Sequence, residues 1–203
     1  MIADLLRSFV NEFSIRSKKR GEIIYNEGDM PENLYLIESG LVGLFHVSET
    51  GHETFLRVFS TNYIFSHRSL LAGEAYHASA VTLTQSTLLT IPKESFERLS
   101  MENPQILLEF NKILAKELRN SELRLSGFQD KSAHTRISES LIFLKYRHPD
   151  HVWTRKEIAE FSGSTFETVT RVMTNLDKQG LIQKSGRDYS IPDTQQLLNF
   201  SKD

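Results

Sequence analysis

The hydrophobic period of this chain changes once, near residue 103, and that change limits the folds open to it. In "SMENPQILLEFNKILAKELRNSELRLSG" (residues 100–127), Leu107, Phe110, Leu114, Leu118 and Leu125 follow at spacings of 3, 4, 4 and 7. That is one face of an α-helix of about 23 residues, roughly 35 Å long. Asn103 suits its N-cap, Pro104 its first position and Gly127 its end. A helix this long with an a/d-like stripe needs a partner. Either it packs on its own neighbouring domain or it pairs with a second copy. The motifs downstream favour the second, a homodimer coiled coil through those five residues.

Upstream the period is shorter. Residues 15–92 read as short strands, with Gly40 turning inside "LYLIESGLVGLFHV", a hairpin turn at "SETGH" (48–52) that places Gly51 at positive φ, and two further strands in "ASAVTLTQSTLLTI". Turn signals every 8–12 residues or so fit a small β-sandwich or barrel. The fold class expected is therefore α+β. A β-roll spans 1–103, a dimerisation helix and hinge 104–128, and a second helical domain 129–203. Asp130 suits the N-cap of its first helix, "KSAHTRISESLIFLKYRH", which Pro149 ends; two short helices and a hairpin, "LIQKSGRDYSI", follow.

The chain has no cysteine, which removes disulfides, thiolate zinc sites, cysteine-ligated iron–sulfur clusters and cysteine nucleophiles. No apolar run is long enough to span a membrane, and "MIADLLRSFVNEF" is too charged for a signal peptide, so a cytoplasmic protein is expected. Net charge is −2, but residues 131–203 carry 11 Lys+Arg against 9 Asp+Glu while residues 1–130 carry 13 against 17. The excess of base in the last third permits nucleic-acid binding there without demanding it.

"TRKEIAEFSGSTFETVTRVMTNLDKQGLI" (154–182) has the punctuation of a helix-turn-helix. Thr154 with Glu157 makes one capping box and Ser164 with Glu167 a second. Ala159 is small where two helices must cross, and Gly163 follows in the turn. Val169, Val172, Met173 and Leu176 form the i, i+3, i+4, i+7 stripe that buries the second helix. The other face carries Glu167, Thr170, Arg171 and Thr174 near the end that enters a major groove, with Thr154, Arg155, Ser164, Thr165 and Phe166 as further expected DNA contacts. Arg pairs bidentately with guanine, Glu accepts from cytosine, and Thr meets the thymine methyl. A Glu167–Arg171 salt bridge on a solvated face is the bland alternative. In the wing, Lys184 and Arg187 are placed to meet phosphates.

On these residues the chain resembles the CRP/FNR family of bacterial transcription regulators over nearly its whole length. "GEIIYNEGDMPENLYLIESGLV" is similar to the family's cyclic-nucleotide-binding-type β-roll signature, and the 154–182 stretch to its winged helix-turn-helix. The resemblance implies a homodimer on a two-fold symmetric site, contact with RNA polymerase, and an effector in the β-roll that moves the long helices. "E-x-x-T-R" (Glu167, Thr170, Arg171) looks like the FNR branch, implying half-sites with a TTG or TGA core. Many members have Arg where this chain has Phe166, whose ring could pack on a thymine methyl or on the neighbouring helix.

The pocket departs further. cAMP-binding members carry Gly-Glu after the strand Phe, then an Arg on the phosphate. Here Ser66 and His67 hold the first positions, and the Arg position falls within Tyr76, His77 and Ala78. A phosphate needs a charged or multi-donor clamp, which argues against cAMP. Three readings stay open for Ser66, His67, Arg68, Tyr76, His77 and Ala78: a vestigial pocket, a small organic anion, or a haem held by His67 or His77. A metal-cupin enzyme would need an H-x-H cluster, which the seven histidines lack; His148 and His151 read as exposed loop residues. A winged-helix adaptor that binds protein is the rival function.

Overall fold

The computed structural model describes residues 2–9, 13–49, 51 and 53–201. The chain divides into two compact units, residues 1–120 and 121–203. The expected α+β architecture, β-roll followed by a long helix and a winged helix-turn-helix, is what the chain adopts.

In the first unit a short helix, α1 (Ile2–Arg7), precedes eight strands: β1 (Ser14–Lys18), β2 (Ile23–Tyr25), β3 (Asn33–Ser39), β4 (Leu41–Val47), β5 (Glu53–Ser60), β6 (Ile64–Phe65), β7 (Ser79–Thr82) and β8 (Ser86–Pro92). They form two antiparallel four-stranded sheets, ordered β1-β8-β3-β6 and β2-β7-β4-β5. Period-two alternation sorts the side chains. Ile37 of β3 and Leu88 of β8 join Tyr25, Val42, Phe59, Phe65 and Ala80 in one core drawn from both sheets. Leu34, Leu36, Leu89 and Ile91, on the opposite parity, face a second core built with helices. The register Leu34↔Ile91 and Leu36↔Leu89 keeps that face continuous. Gly40 has φ 97, and a Cβ there would meet Ser86 and the Gln85 backbone, so the β3–β4 corner requires glycine. In the expected turn at 48–52, Gly51 has φ 78; Thr50 and His52 lie outside the described residues.

Two helices fall where only strands and loop were expected. Helix α2 (His67–Ala72) is bounded by left-handed residues, Ser66 (φ 72) and Gly73 (φ 69). Helix α3 (Lys93–Glu102) ends at Asn103, whose amide donates to the Leu99 carbonyl at 3.4 Å. Asn103 therefore closes α3 instead of capping the long helix. That helix, α4 (Gln105–Asp130), runs 26 residues and passes through Gly127, whose carbonyl accepts from Lys131 N–H at 3.1 Å.

The stripe on α4 also differs from the expected one. Ile106 and Phe110 are fully buried in the helix-side core, Ile113 packs against it, and Glu117 continues the same face. Leu118 (62 % exposed) and Leu125 (63 %) lie on another face with Leu107, and Leu114 is half-buried. Two apolar stripes run side by side, offset by one residue. Phe110 belongs to the inner one and is core of its own β-roll, not a dimer contact.

The second unit holds α5 (Ala133–Arg147), α6 (Arg155–Ser162), α7 (Phe166–Lys178), a hairpin of β9 (Gln183–Ser185) and β10 (Asp188–Ser190), and α8 (Thr194–Phe200). Ser132, not Asp130, caps α5, its hydroxyl accepting from Thr135 N–H at 3.2 Å. Among the described residues no helix is long and apolar enough to cross a membrane.

Candidate nucleic-acid interface and effector pocket

Helices α6 and α7 are held at a fixed turn by several devices. Thr154 accepts from Glu157 N–H at 3.2 Å and Glu157 accepts from Thr154 N–H at 2.8 Å, the expected capping box. Gly163 closes α6 at φ 61, where a Cβ would run into the Phe128 ring. The turn carbonyls are satisfied by arginines: Arg124 donates to Phe161 O (2.7 Å), and Arg136 to Ser162 O (3.3 Å) and Gly163 O (3.4 Å). These two cations, which sequence reasoning passed over, fix the turn.

The second capping box does not form. Thr165 is the N-cap of α7 and accepts from Thr168 N–H at 3.2 Å, while Ser164 is buried with an unpartnered hydroxyl. The shift by one residue follows from Gly163 ending α6, which leaves Ser164 inside the turn. Val169, Val172, Met173 and Leu176 are buried as expected. The opposite face presents Phe166, Glu167, Arg171, Asn175 and Lys178 to solvent, with Thr170 and Thr174 half-buried between them. Among the described residues Glu167 and Arg171 do not pair with each other, so the bland salt-bridge reading is not realised. Phe166 is 50 % exposed, so half of its ring is open to solvent at the start of α7. Phe166, Thr170, Arg171 and Lys178, with His134 of α5 opposite, wall an open groove of about 870 Å³.

Thr154 is exposed and occupied by its cap; Arg155, first residue of α6, is half-buried. Arg187 stands exposed at the wing turn, whereas Lys184 is bound to Asp177 at 3.2 Å. Lys184 is thus an intramolecular tie, and Arg187 is the freer wing cation.

His148 and His151 are not exposed loop residues: they are 8 % and 7 % accessible and pack their rings on Trp153, the sole tryptophan. Burial, with Arg147 and His151 adding to it, holds the His148 imidazole down to about 4. The unfolded ring titrates near 6.5 and the folded one near 4. This contribution is therefore whole above pH 6.5 and declines as pH falls towards 4. The slope is about 1.4 kcal/mol per pH unit, roughly 3 kcal/mol in all. Urea unfolding followed by Trp153 fluorescence should show the second unit weakening steadily from pH 6.5 to 4.5, and His148→Leu should flatten that decline. An unchanged slope in the variant would place the titration on another group. Glu157 and Asp188 add acid loss only lower down. Burial raises each, but hydrogen bonds from His151 and Thr154 to the first, and from Lys145 to the second, outweigh it and hold both below the carboxylate range.

In the β-roll five of the expected effector residues, Ser66, His67, Arg68, Tyr76 and His77, line one cavity, and Ala78 lies in the core beside it. Tyr76 and Ala78 are core; Tyr76 stacks on Tyr25 with ring centroids 3.6 Å apart. Ser66 is buried in the left-handed conformation that favours glycine, and its hydroxyl donates to Asn33 O at 2.6 Å. His67 is buried; Arg68 and His77 are exposed. Partial desolvation, then the guanidinium groups of Arg68 and Arg57, lower His77 to about 4, so its ring is neutral at pH 7.

Three residues that sequence reasoning did not single out complete this region. Arg57 of β5 lies 2.7 Å from Glu117 of α4, the Tyr63 hydroxyl donates to Glu117 at 2.9 Å, and His67 Nε2 lies 3.3 Å from it. Burial raises the Glu117 carboxyl, but the His67 hydrogen bond, the His67 and Arg57 charges and Tyr63 outweigh it and hold it below its ordinary value. The signal for Glu117 was its heptad position after Phe110. The cavity left among these groups measures about 50 Å³. That is space for about two waters, against roughly 300–1,000 Å³ for a ligand pocket. Among the described residues no group of three or more His, Asp or Glu is placed to hold a metal ion.

Residues 15–103 match the cyclic nucleotide-binding domain family and residues 135–200 the Crp-like helix-turn-helix domain family. A cyclic AMP receptor protein from Thermus thermophilus is 30 % identical over 173 residues, covering 84 % of this chain and 80 % of its own. A transcriptional activator protein anr from Pseudomonas aeruginosa is 26 % identical over 191 residues, covering 90 % and 78 %. The structure of FixK2 from Bradyrhizobium japonicum superposes with a TM-score of 0.82 at 23 % identity, covering 92 % and 96 %. These matched relatives are regulators and not enzymes. With the two domains in the family's order and the recognition helix held as described, this chain belongs to the CRP/FNR family of transcription regulators.

Proposed function

We propose that the chain works as a homodimer that reads a palindromic DNA site with TTG- or TGA-type half-sites, without needing cAMP. The observation that carries this is α7. Its apolar stripe is buried while Glu167, Arg171, Asn175 and Lys178 stand in solvent along one open groove. Leu107, Leu118 and Leu125 supply an exposed apolar stripe on α4 suited to a second copy. In this reading residues 1–103 are a sensor-like domain, 104–128 the dimerisation helix and hinge, and 129–203 the reader. Helix α4 overruns the second boundary by two residues. Contact with RNA polymerase belongs to the same proposal, supported by relatives named as transcriptional activators, as does a cytoplasmic place of action, where DNA is. Independence from cAMP rests on the small cavity and its filled interior.

Selection of bound duplexes from a random pool by the ligand-free protein tests this. A two-fold symmetric sequence should be enriched, and its affinity should fall about 10³-fold or more between 50 and 200 mM salt if six or more phosphates are met. Absence of enrichment together with salt-insensitive capture of protein would favour the winged-helix adaptor.

A further inference from the structure

We propose that Arg57, Tyr63 and His67 form a carboxylate-binding site that the chain fills with its own Glu117, tying α4 to the β-roll without a diffusible effector. The site is built as a receptor for an anion. Arg57 holds Glu117 twice, through the side-chain pair at 2.7 Å and through a 3.3 Å hydrogen bond to the Glu117 carbonyl. One carboxylate oxygen receives Arg57 and the Tyr63 hydroxyl; the other receives His67 Nε2. Side-chain exposure of Glu117 and His67 is 9 % and 4 %, so water competes little. His67 Nδ1 is buried without a partner, a cost that is kept because the ring's other nitrogen serves the carboxylate. Around this centre the interior is filled by rings. Tyr63 stacks on Phe59, Phe59 on Phe65, Phe65 on Tyr35 and Tyr25 on Tyr76. Tyr25, Phe59, Phe65 and Tyr76 line the small cavity, with Arg57, His67 and the Glu117 carboxylate at its charged end. The chemical class the site accepts is a small monocarboxylate. Its regulatory meaning rests on the DNA-reading function proposed above; its existence does not.

The test is chemical rescue. Glu117→Ala removes two carbons and the carboxylate oxygens, which acetate replaces atom for atom. Breaking a buried pair should lower Tm by roughly 10 °C. Acetate at tens of millimolar should restore at least half of that shift in a saturable manner, with chloride at equal ionic strength restoring none. The wild type should show no acetate response, and Arg57→Ala combined with Glu117→Ala should abolish the rescue. If Glu117→Ala fails to fold in chloride, refolding from urea in acetate against chloride gives the same reading as yield. Equal effects of acetate and chloride, or an equal response of the wild type, would overturn the site. The readout is stability, so its failure is separable from failure of the DNA selection.

Discussion

Leu118→Glu is expected to convert the protein to a monomer and to lower its affinity for a palindromic duplex by about 10²–10⁴-fold, the avidity gained by linking two reading heads. Leu118 is 62 % exposed in the single chain, and Leu125, one heptad along, is 63 % exposed. Fully burying a leucine side chain contributes about 1.5–3 kcal/mol, so the stripe on each copy supplies the gain that favours pairing. A carboxylate at position 118 would be buried opposite its own symmetry mate. Like charges facing one another in an interface cost several kcal/mol. Sedimentation equilibrium at micromolar protein measures the first effect and titration of a half-site against a full site the second. Half-site affinity should stay unchanged, because α7 is untouched. A variant that sediments as a dimer would move the interface off the α4 stripe.

That substitution is chosen at 118 because the structure separated two patterns that the sequence superimposed. Leu107, Phe110, Leu114, Leu118 and Leu125 satisfy helical spacing as one set, and helical spacing cannot tell a stripe that meets its own domain from one left for another chain. Burial can: Phe110 is fully buried while Leu118 is open. The fold itself was legible because its signals are local. Positive-φ glycines at turns, the Thr154–Glu157 box and the Val169–Leu176 stripe each act within a few residues. Cap positions slipped where a neighbour decided. Ser164 lost its role to Thr165 because Gly163 had already closed the turn. The Arg57–Glu117 pair was not legible, since a β5 arginine and an α4 glutamate sixty residues apart look like ordinary surface charges until the helix is laid on the β-roll. His148 and His151 failed for the same reason: a loop flanking proline reads as exposed unless the tryptophan beneath it is known.

Arg171→Ala should cost about 1–3 kcal/mol on the selected site, a loss of roughly 5- to 150-fold, and should relax sequence preference at one G·C pair per half-site. The side chain is exposed near the N-terminal half of α7, four residues after Glu167, and makes no pair with it. Its guanidinium is therefore free to meet guanine O6 and N7 without first breaking an intramolecular bond. The neighbouring Thr174 hydroxyl is turned back onto the Thr170 carbonyl at 2.8 Å, which removes a competitor for the same base edge. The specificity loss separates this role from a phosphate contact. Arg187→Ala, at the wing turn, should weaken cognate and random duplexes alike and reduce the salt slope by about 1, with the preferred sequence intact. Competition binding with single-base-pair variants of the selected palindrome measures both. If Arg171→Ala lost affinity uniformly across all variants, Arg171 would be a backbone contact. The reading of the G·C pair would then have to come from Glu167, accepting from cytosine N4 on the opposite strand.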